Sequence, residues 1–385
     1  MKVKWTSPTV AAGDSLDLHF SVTINAALAA SVTSIVNDGI TVTSAQGVGA
    51  TGSAHATPIA PPNAVSLAPA SQTDGARSGS SVTYPIHLTN LGYTDDTYGL
   101  AAVSGAFAAT ILDATCTSPS SSVAIASGAS ADVCLKVDVP VAALNAATDT
   151  ATVTATSTGA PSVSASGTAT TIAVTVDTLL VDQDGDIPDV QSYYTAALTA
   201  AGQTYDVWDL ATDPILPLGY MKAHTAIVWA TGNTYPAPLG LYEADLAAFL
   251  DGGGRLFMSG QDVLDQGAGT TAFVHDYLHI DWDGSEDQND KPTSNVVGEL
   301  GNPVTNGIGV VPLDLAVLGG VQFSDQLTLV APAQVAFRDD SAEPDGLSVA
   351  DGAYKVVFLA FPFEEFGTAT QKSDLMTRVF TWFGS

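Results

Sequence analysis

Apolar and polar residues alternate with period two, in short runs, over the first 176 residues. Leu16, Leu18, Phe20, Val22 and Ile24 follow this rule, as do Val82, Tyr84, Ile86 and Leu88, and again Val133, Leu135, Val137 and Val139. Alternation of this kind puts every second side chain on one face and marks half-buried antiparallel strands. Gly, Ser, Asn and Pro break the runs, and so many short strands predict a β-sandwich. Beyond residue 176 the pattern changes to short apolar runs separated by helical periodicity. Thr178–Asp182, Tyr205–Asp209, Thr225–Ala230, Leu256–Met258 and Lys355–Phe361 read as strands. Val190–Ala201, led by Asp189 and closed by Gly202, reads as a helix, as do Leu241–Leu250 and Gln371–Phe383. Strands alternating with helices predict a doubly wound α/β domain with a parallel sheet.

A constant offset of 115 residues relates two parts of the strand-rich region. Gly13-Asp14-Ser15 precedes the first alternating run as Gly128-Ala129-Ser130 precedes the third, and Gly52-Ser53-Ala54 matches Gly167-Thr168-Ala169. A full repeat then runs from about Pro62 to Val176, and Met1 corresponds to its middle. Three units follow: 1–61, the second half of a repeat; 62–176, a complete sandwich; and 177–385, the α/β domain. Half a sandwich leaves strand edges open. Either the chain is a piece of a longer protein, or a neighbouring chain completes the half by strand addition and builds a filament.

Composition narrows the function. With 46% apolar residues the chain can fill real cores, and no run is long enough to cross a membrane. Met1-Lys2-Val3-Lys4 is not followed by an apolar stretch and does not read as a signal peptide. The net charge of −29 sits mostly in 177–385, which holds 30 acidic and 7 basic residues, so nucleic acid and anionic lipid are excluded as partners. The two cysteines, Cys116 and Cys134, lie 18 residues apart across a Ser/Pro-rich turn. They read as a disulfide in an oxidising compartment, with two buried thiols as the alternative.

The sharpest candidate chemistry is Asp182, Asp184, Asp186 and Asp189. Carboxylates at alternating positions around Gly185 let one tight loop turn several oxygens onto a hard cation such as calcium. The run resembles the bacterial Asp-x-Asp-x-Asp-Gly-Ile-Pro-Asp calcium repeat, but has no Gly before Ile187-Pro188 and has Tyr193 where a twelfth-position Glu would stand. The bland alternative is a solvated acidic loop with a helix cap. A second acidic run, Asp281, Asp283, Glu286, Asp287 and Asp290, is a weaker cation candidate, and His275 and His279, four apart, a weaker one still.

Two resemblances carry further expectations. The stretches Ala64–Pro69, Gly79–Tyr84 and Leu88-Thr89-Asn90 resemble the immunoglobulin-like modules of bacterial surface and secreted proteins, which act as spacers or adhesive stalks. Leu180–Asp184, Tyr205–Asp209, Asp251–Asp262 and Asp276–His279 resemble the class I glutamine amidotransferase-like domain appended to secreted bacterial proteins, often subtilisin-like peptidases. Active members of that superfamily attack with a cysteine after a central strand and a histidine after the last one. Here the first position reads Met258-Ser259-Gly260-Gln261, the second Phe361-Pro362-Phe363-Glu364-Glu365, and residues 177–385 contain no cysteine. The resemblance therefore implies a non-catalytic extracellular or cell-surface accessory region whose partners are other extracellular domains or further copies of itself. The filament subunit is the alternative, and a residual hydrolase using Ser259 comes third.

Overall fold

The computed structural model of the chain describes residues 6, 9–17, 19, 21, 32, 34–37, 39–235, 238–265, 270–282, 285, 287–320 and 322–384. Four short strands come first: β1 (Ser34–Asn37), β2 (Thr41–Thr43), β3 (Gly49–Thr51) and β4 (His55–Pro58). β1 pairs antiparallel with β4, and β2 with β3. Leu18, Phe20, Val22 and Ile24 of the first alternating run, and the Met1–Lys4 start, lie outside the described residues.

The sandwich is built from β5 (Val65–Ala68), β6 (Ser71–Arg77), β7 (Ser81–Asn90), β8 (Asp96–Val103), β9 (Ala108–Leu112), β10 (Ser122–Ile125), β11 (Ser130–Asp138), β12 (Thr148–Ser157) and β13 (Ser164–Val174). One sheet runs β10-β8-β12-β13-β6 and the other β5-β7-β11-β9. Both contribute to a single core in which Leu88, Tyr98, Leu135 and Ala155 are fully buried. The alternating residues Val82, Tyr84, Ile86 and Leu88 all point inward, as the pattern of β7 requires. Burial of each such side chain contributes about 1.5–3 kcal/mol. At the 115-residue offset β1 and β4 fall on β12 and β13, which are also antiparallel partners, but with the register shifted by two residues.

Cys116, in the turn after β9, is bonded to Cys134 of β11, with Cα atoms 5.4 Å apart. Closing a loop of 18 residues restricts the unfolded chain. Replacing both cysteines with alanine is expected to lower unfolding free energy by about 3 kcal/mol. Urea titration of the double variant checks this, and an unchanged midpoint would contradict it.

The third unit is a nine-stranded sheet with β14 (Thr178–Asp182), β15 (Tyr205–Asp209), β16 (Ala226–Gly232), β17 (Arg255–Gly260), β18 (Asn295–Gly298), β19 (Val310–Pro312), β20 (Gln334–Arg338), β21 (Pro344–Asp351) and β22 (Tyr354–Leu359). Its order is β15-β14-β16-β17-β22-β21-β20-β18-β19. The first five strands are parallel; from β22 outward every pairing is antiparallel. Four helices accompany it among the described residues: α1 (Gln191–Ala200), α2 (Leu218–Lys222), α3 (Glu243–Asp251) and α4 (Ala369–Phe383). α1 and α4 share one core with Leu180, Val228 and Phe257, while α2 and α3 share another with Val181, Trp229 and Met258.

This corrects the expected doubly wound α/β domain. Over the whole chain strands account for 39% and helices for 15%, and in this sheet four of the nine strands join antiparallel. The physical reason lies in the connections. Parallel neighbours need a crossover, usually helical, whereas antiparallel ones need only a tight turn. β21 and β22 are joined by the two-residue loop Gly352-Ala353, with Gly352 at φ +54° in its first central position.

Sandwich and sheet meet through polar contacts. Asp74 of β6 accepts hydrogen bonds from the Gly75 and Tyr220 amides at 2.8 and 2.7 Å. A side chain at Gly219 would lie 2.4 Å from that carboxylate, so the approach requires glycine. Arg77 pairs with Asp177, and Asp206 accepts from Asn145 at 2.5 Å while bonding His224 at 3.0 Å.

Candidate functional site

β14 is buried along its whole length and delivers Asp182 to the carboxyl end of the parallel strands. The chain cannot leave freely there: the Gln183 amide donates to the Ala230 carbonyl of β16 at 2.8 Å, and Trp229 Nε1 donates to Gln183 Oε1 at 2.7 Å. The loop then folds around Asp184. One of its oxygens accepts from the Asp186 amide at 2.7 Å, the other from the Val190 amide at 2.5 Å. Gly185 and Asp186 adopt φ of +68° and +62°, which turns the loop back on itself. Gly232 of β16 is required beside it, since a Cβ there would come within 2.8 Å of the Asp184 Cβ. Asp189 bonds the Gln191 amide at 3.0 Å, and α1 begins.

Three of the four expected carboxylates converge. Asp182, Asp184 and Asp189 each offer an oxygen, and these lie within 4.8 Å of one another. Asp182 and Asp184 are buried and Asp189 is exposed, so the cluster has an open side. Asp186, at the tip of the turn, is exposed and stands outside this trio. Burial, followed by the Asp184 charge, pushes the Asp182 carboxyl up to about 7. Three carboxyl oxygens so close, with no nitrogen or sulfur donor in the trio, suit a hard cation such as calcium.

Ser259, the remaining nucleophile candidate, is buried at the end of β17. Its hydroxyl donates to the Phe361 carbonyl at 2.9 Å and accepts from the Phe363 amide at 2.8 Å. It braces β17 against the segment after β22, and its one proton is committed. No imidazole reaches it among the described residues. His224 bonds the Tyr220 carbonyl and Asp206. His275 bonds Asp276, and His279 bonds Tyr354. His279 is at φ +56°, past the helical turn, so the four-residue spacing from His275 does not make a shared metal face.

The segment after β22 carries two buried acids, Glu364 and Glu365. Glu364 accepts from the Tyr194 hydroxyl at 2.9 Å, and Glu365 accepts from Gln322 at 3.1 Å. Each keeps one buried oxygen without a partner, and burial pushes both carboxyls up to about 7. Asp262, Asp325 and Asp345 are buried as well. A sequence pattern does not reveal such acids, because the same letters stand in exposed loops. Of the second acidic run, Asp281, Asp287 and Asp290 are exposed, and Asp283 and Glu286 lie outside the described residues.

No family profile matches the chain, and no curated protein matches it. Among solved structures, a GMP synthase component from Thermoplasma acidophilum is similar over 54% of this chain and 96% of its own, at 8% identity and a TM-score of 0.38. An ASH/PapD-like domain of human CEP192 is similar over 30% and 88%, at 14% identity and a TM-score of 0.22. The secreted serine protease VesC from Vibrio cholerae is similar over 33% of this chain and 24% of its own, at 18% identity and a TM-score of 0.22. Likenesses this slight do not bear on the chemistry of the site.

Proposed function

We propose that this chain is a non-catalytic accessory region of an extracellular or cell-surface protein, in which a sandwich spacer carries a calcium-stabilised interaction domain. The observation that carries the reading is the convergence of Asp182, Asp184 and Asp189, with oxygens within 4.8 Å and two of the three buried. These residues would hold the ion, and further backbone or water oxygens would complete the six to eight ligands, roughly, that calcium takes. Bound there, calcium would neutralise the carboxylates and fix the loop that leads into α1. The bonded cysteines support an oxidising compartment. No helix among the described residues is long and apolar enough to cross a membrane. The acidic surface favours partners of complementary charge, whether other extracellular domains or basic segments of further copies.

Absence of catalysis rests on Ser259, whose hydroxyl is enclosed and, among the described residues, has no imidazole within reach. A serine alcohol without such a base is a poor nucleophile. The wild-type chain is expected to turn over neither glutamine nor activated esters. Ser259→Ala is expected to act on stability instead, costing about 1–3 kcal/mol by leaving the Phe361 carbonyl and the Phe363 amide unpaired. Measured hydrolysis that disappears in Ser259→Ala, in a variant that melts like wild type, would overturn the reading.

A further inference from the structure

Exposed apolar side chains gather at one edge of the nine-stranded sheet. Among the described residues of this unit, seven large apolar side chains are exposed. Val207 lies within β15, and Leu300 and Val310 lie on the antiparallel half. The other four, Ile187, Ile215, Tyr235 and Leu241, sit on the loops that leave the carboxyl ends of β14, β15 and β16, and are between 62% and 81% exposed. Side-chain bonds tie these loops to one another. Thr234 Oγ1 donates to the Gln183 carbonyl at 3.1 Å, and the Tyr242 hydroxyl donates to the Pro214 carbonyl at 2.9 Å. Tyr235 and Leu241 directly neighbour those two donors in the chain, and Ile215 neighbours the second acceptor. Single exposed apolar residues are ordinary, but four on one cluster of linked loops mark an interaction surface.

Charge narrows what can cover it. The same loops expose Asp186, Asp189 and Asp213. From residue 178 to residue 254 the chain has a single Lys or Arg, Lys222, which ends α2 at the opposite edge, where β16 begins. A fitting occupant therefore brings cations interleaved with apolar side chains. One segment of this chain has that composition: Met1-Lys2-Val3-Lys4-Trp5, outside the described residues. No other two of the chain's basic residues lie within five positions of each other.

We propose that this edge of the sheet docks the Met1–Trp5 segment of a second copy of the chain. Bound in extended form, alternate residues turn opposite ways, so Met1, Val3 and Trp5 would pack on the exposed apolar side chains while Lys2 and Lys4 reach the flanking carboxylates. The two contact surfaces lie at different places on the molecule, so the contact is heterologous and builds rings or open chains of copies rather than a closed dimer. The inference rests on the reading of the sheet unit as an interaction domain and names its partner.

Sedimentation equilibrium of the full chain over a range of concentrations tests it, in calcium and in chelator. Wild type is expected to associate in both, more weakly as salt rises. Lys2→Glu/Lys4→Glu and, on the receiving side, Leu241→Asp are each expected to weaken association by about tenfold or more. Both sites tolerate the change without loss of the fold, since Leu241 is 79% exposed and Leu300→Asp, on an exposed residue of the antiparallel half, is expected to leave association unchanged. A synthetic peptide of residues 1–8 is expected to disperse the assembly. Association that persists in chelator, in a protein whose melting calcium does not shift, would remove the calcium reading and keep this one. A wild-type chain that stays monomeric throughout would overturn the proposal. So would undiminished association of Lys2→Glu/Lys4→Glu, or an equal loss in Leu300→Asp.

Discussion

In the presence of chelator, the protein is expected to unfold at a higher temperature at pH 5 than at pH 8. Five buried carboxyls drive this. Burial is the largest cause in each, pushing Asp182, Asp262, Glu364 and Glu365 up to about 7 and Asp325 up to about 8. In the unfolded chain the same groups ionise near pH ~4. Between those values the folded state holds more protons than the unfolded state, so stability falls as pH rises. The stabilising protonation is fully present near pH ~4 and gone by about pH 8. Each tenfold change in proton affinity corresponds to roughly 1.4 kcal/mol, but relaxation and water entry reduce the effect, leaving a total on the order of a few kcal/mol. Acids held low by hydrogen bonds act at the other end. Asp209 is lowered chiefly by the Thr212 hydroxyl, and Asp340 chiefly by the Ser294 amide. Their contribution disappears as pH falls below ~4, giving an acid limb. Calcium should flatten the slope between pH 5 and 8, because a bound cation favours the ionised carboxylates. Calorimetry at both pH values, with chelator and with calcium, checks the prediction. A stability that rises from pH 5 to pH 8 in chelator would contradict it.

Trp229→Ala is expected to destabilise the sheet unit by about 3–5 kcal/mol, the range for removing a large buried aromatic. Trp229 is fully buried in β16, and its ring lies 5.3 Å from that of Tyr242. Its indole also donates to Gln183 Oε1, between the two buried aspartates of the loop. The alanine variant therefore leaves a cavity, orphans a buried amide oxygen and releases the loop that aims Asp182 and Asp184. Trp229→Phe retains most of the packing and loses the hydrogen bond, for an expected cost of about 1–3 kcal/mol. Chemical denaturation of both variants separates the two contributions. A Trp229→Phe variant as stable as wild type would show that Gln183 is held by other means.

The elements that announced themselves in the sequence are those whose periodicity runs long enough to register. β7 spans ten residues with strict alternation and faces the core as its pattern requires. The strand–helix–strand course from β14 to β17 was legible for the same reason. The outer part of the sheet was not. β18 and β19 have four and three residues, too few to establish a period. β21 opens with Pro344-Asp345-Gly346, a composition that favours turns, yet Asp345 is 1% exposed within an eight-residue strand. An antiparallel half built from such strands reads as loop, and the expectation of a doubly wound parallel sheet followed from that.

The site divides in the same way. Asp182, Asp184 and Asp189 were legible because the carboxylates that converge are close in sequence. Asp186 fitted the same spacing, but its positive φ carries it out to solvent. Asp262 and Asp325 are buried by tertiary packing and had no local pattern to betray them. Ser259 was visible as a candidate nucleophile, but its two hydrogen bonds to the Phe361–Phe363 segment depend on β17 and β22 lying side by side.

Whether the Asp182 loop is a calcium site is decided by thermal melting of the full chain in millimolar calcium and in chelator, for wild type and for Asp184→Asn/Asp189→Asn. Calcium at a hundredfold excess over its dissociation constant should stabilise wild type by roughly 2.7 kcal/mol per site. A clear upward shift on adding calcium is expected in wild type and a smaller one in the double variant, each read against the same protein in chelator. An identical midpoint for wild type in calcium and in chelator, or an equal calcium shift in both proteins, would refute calcium binding by this loop.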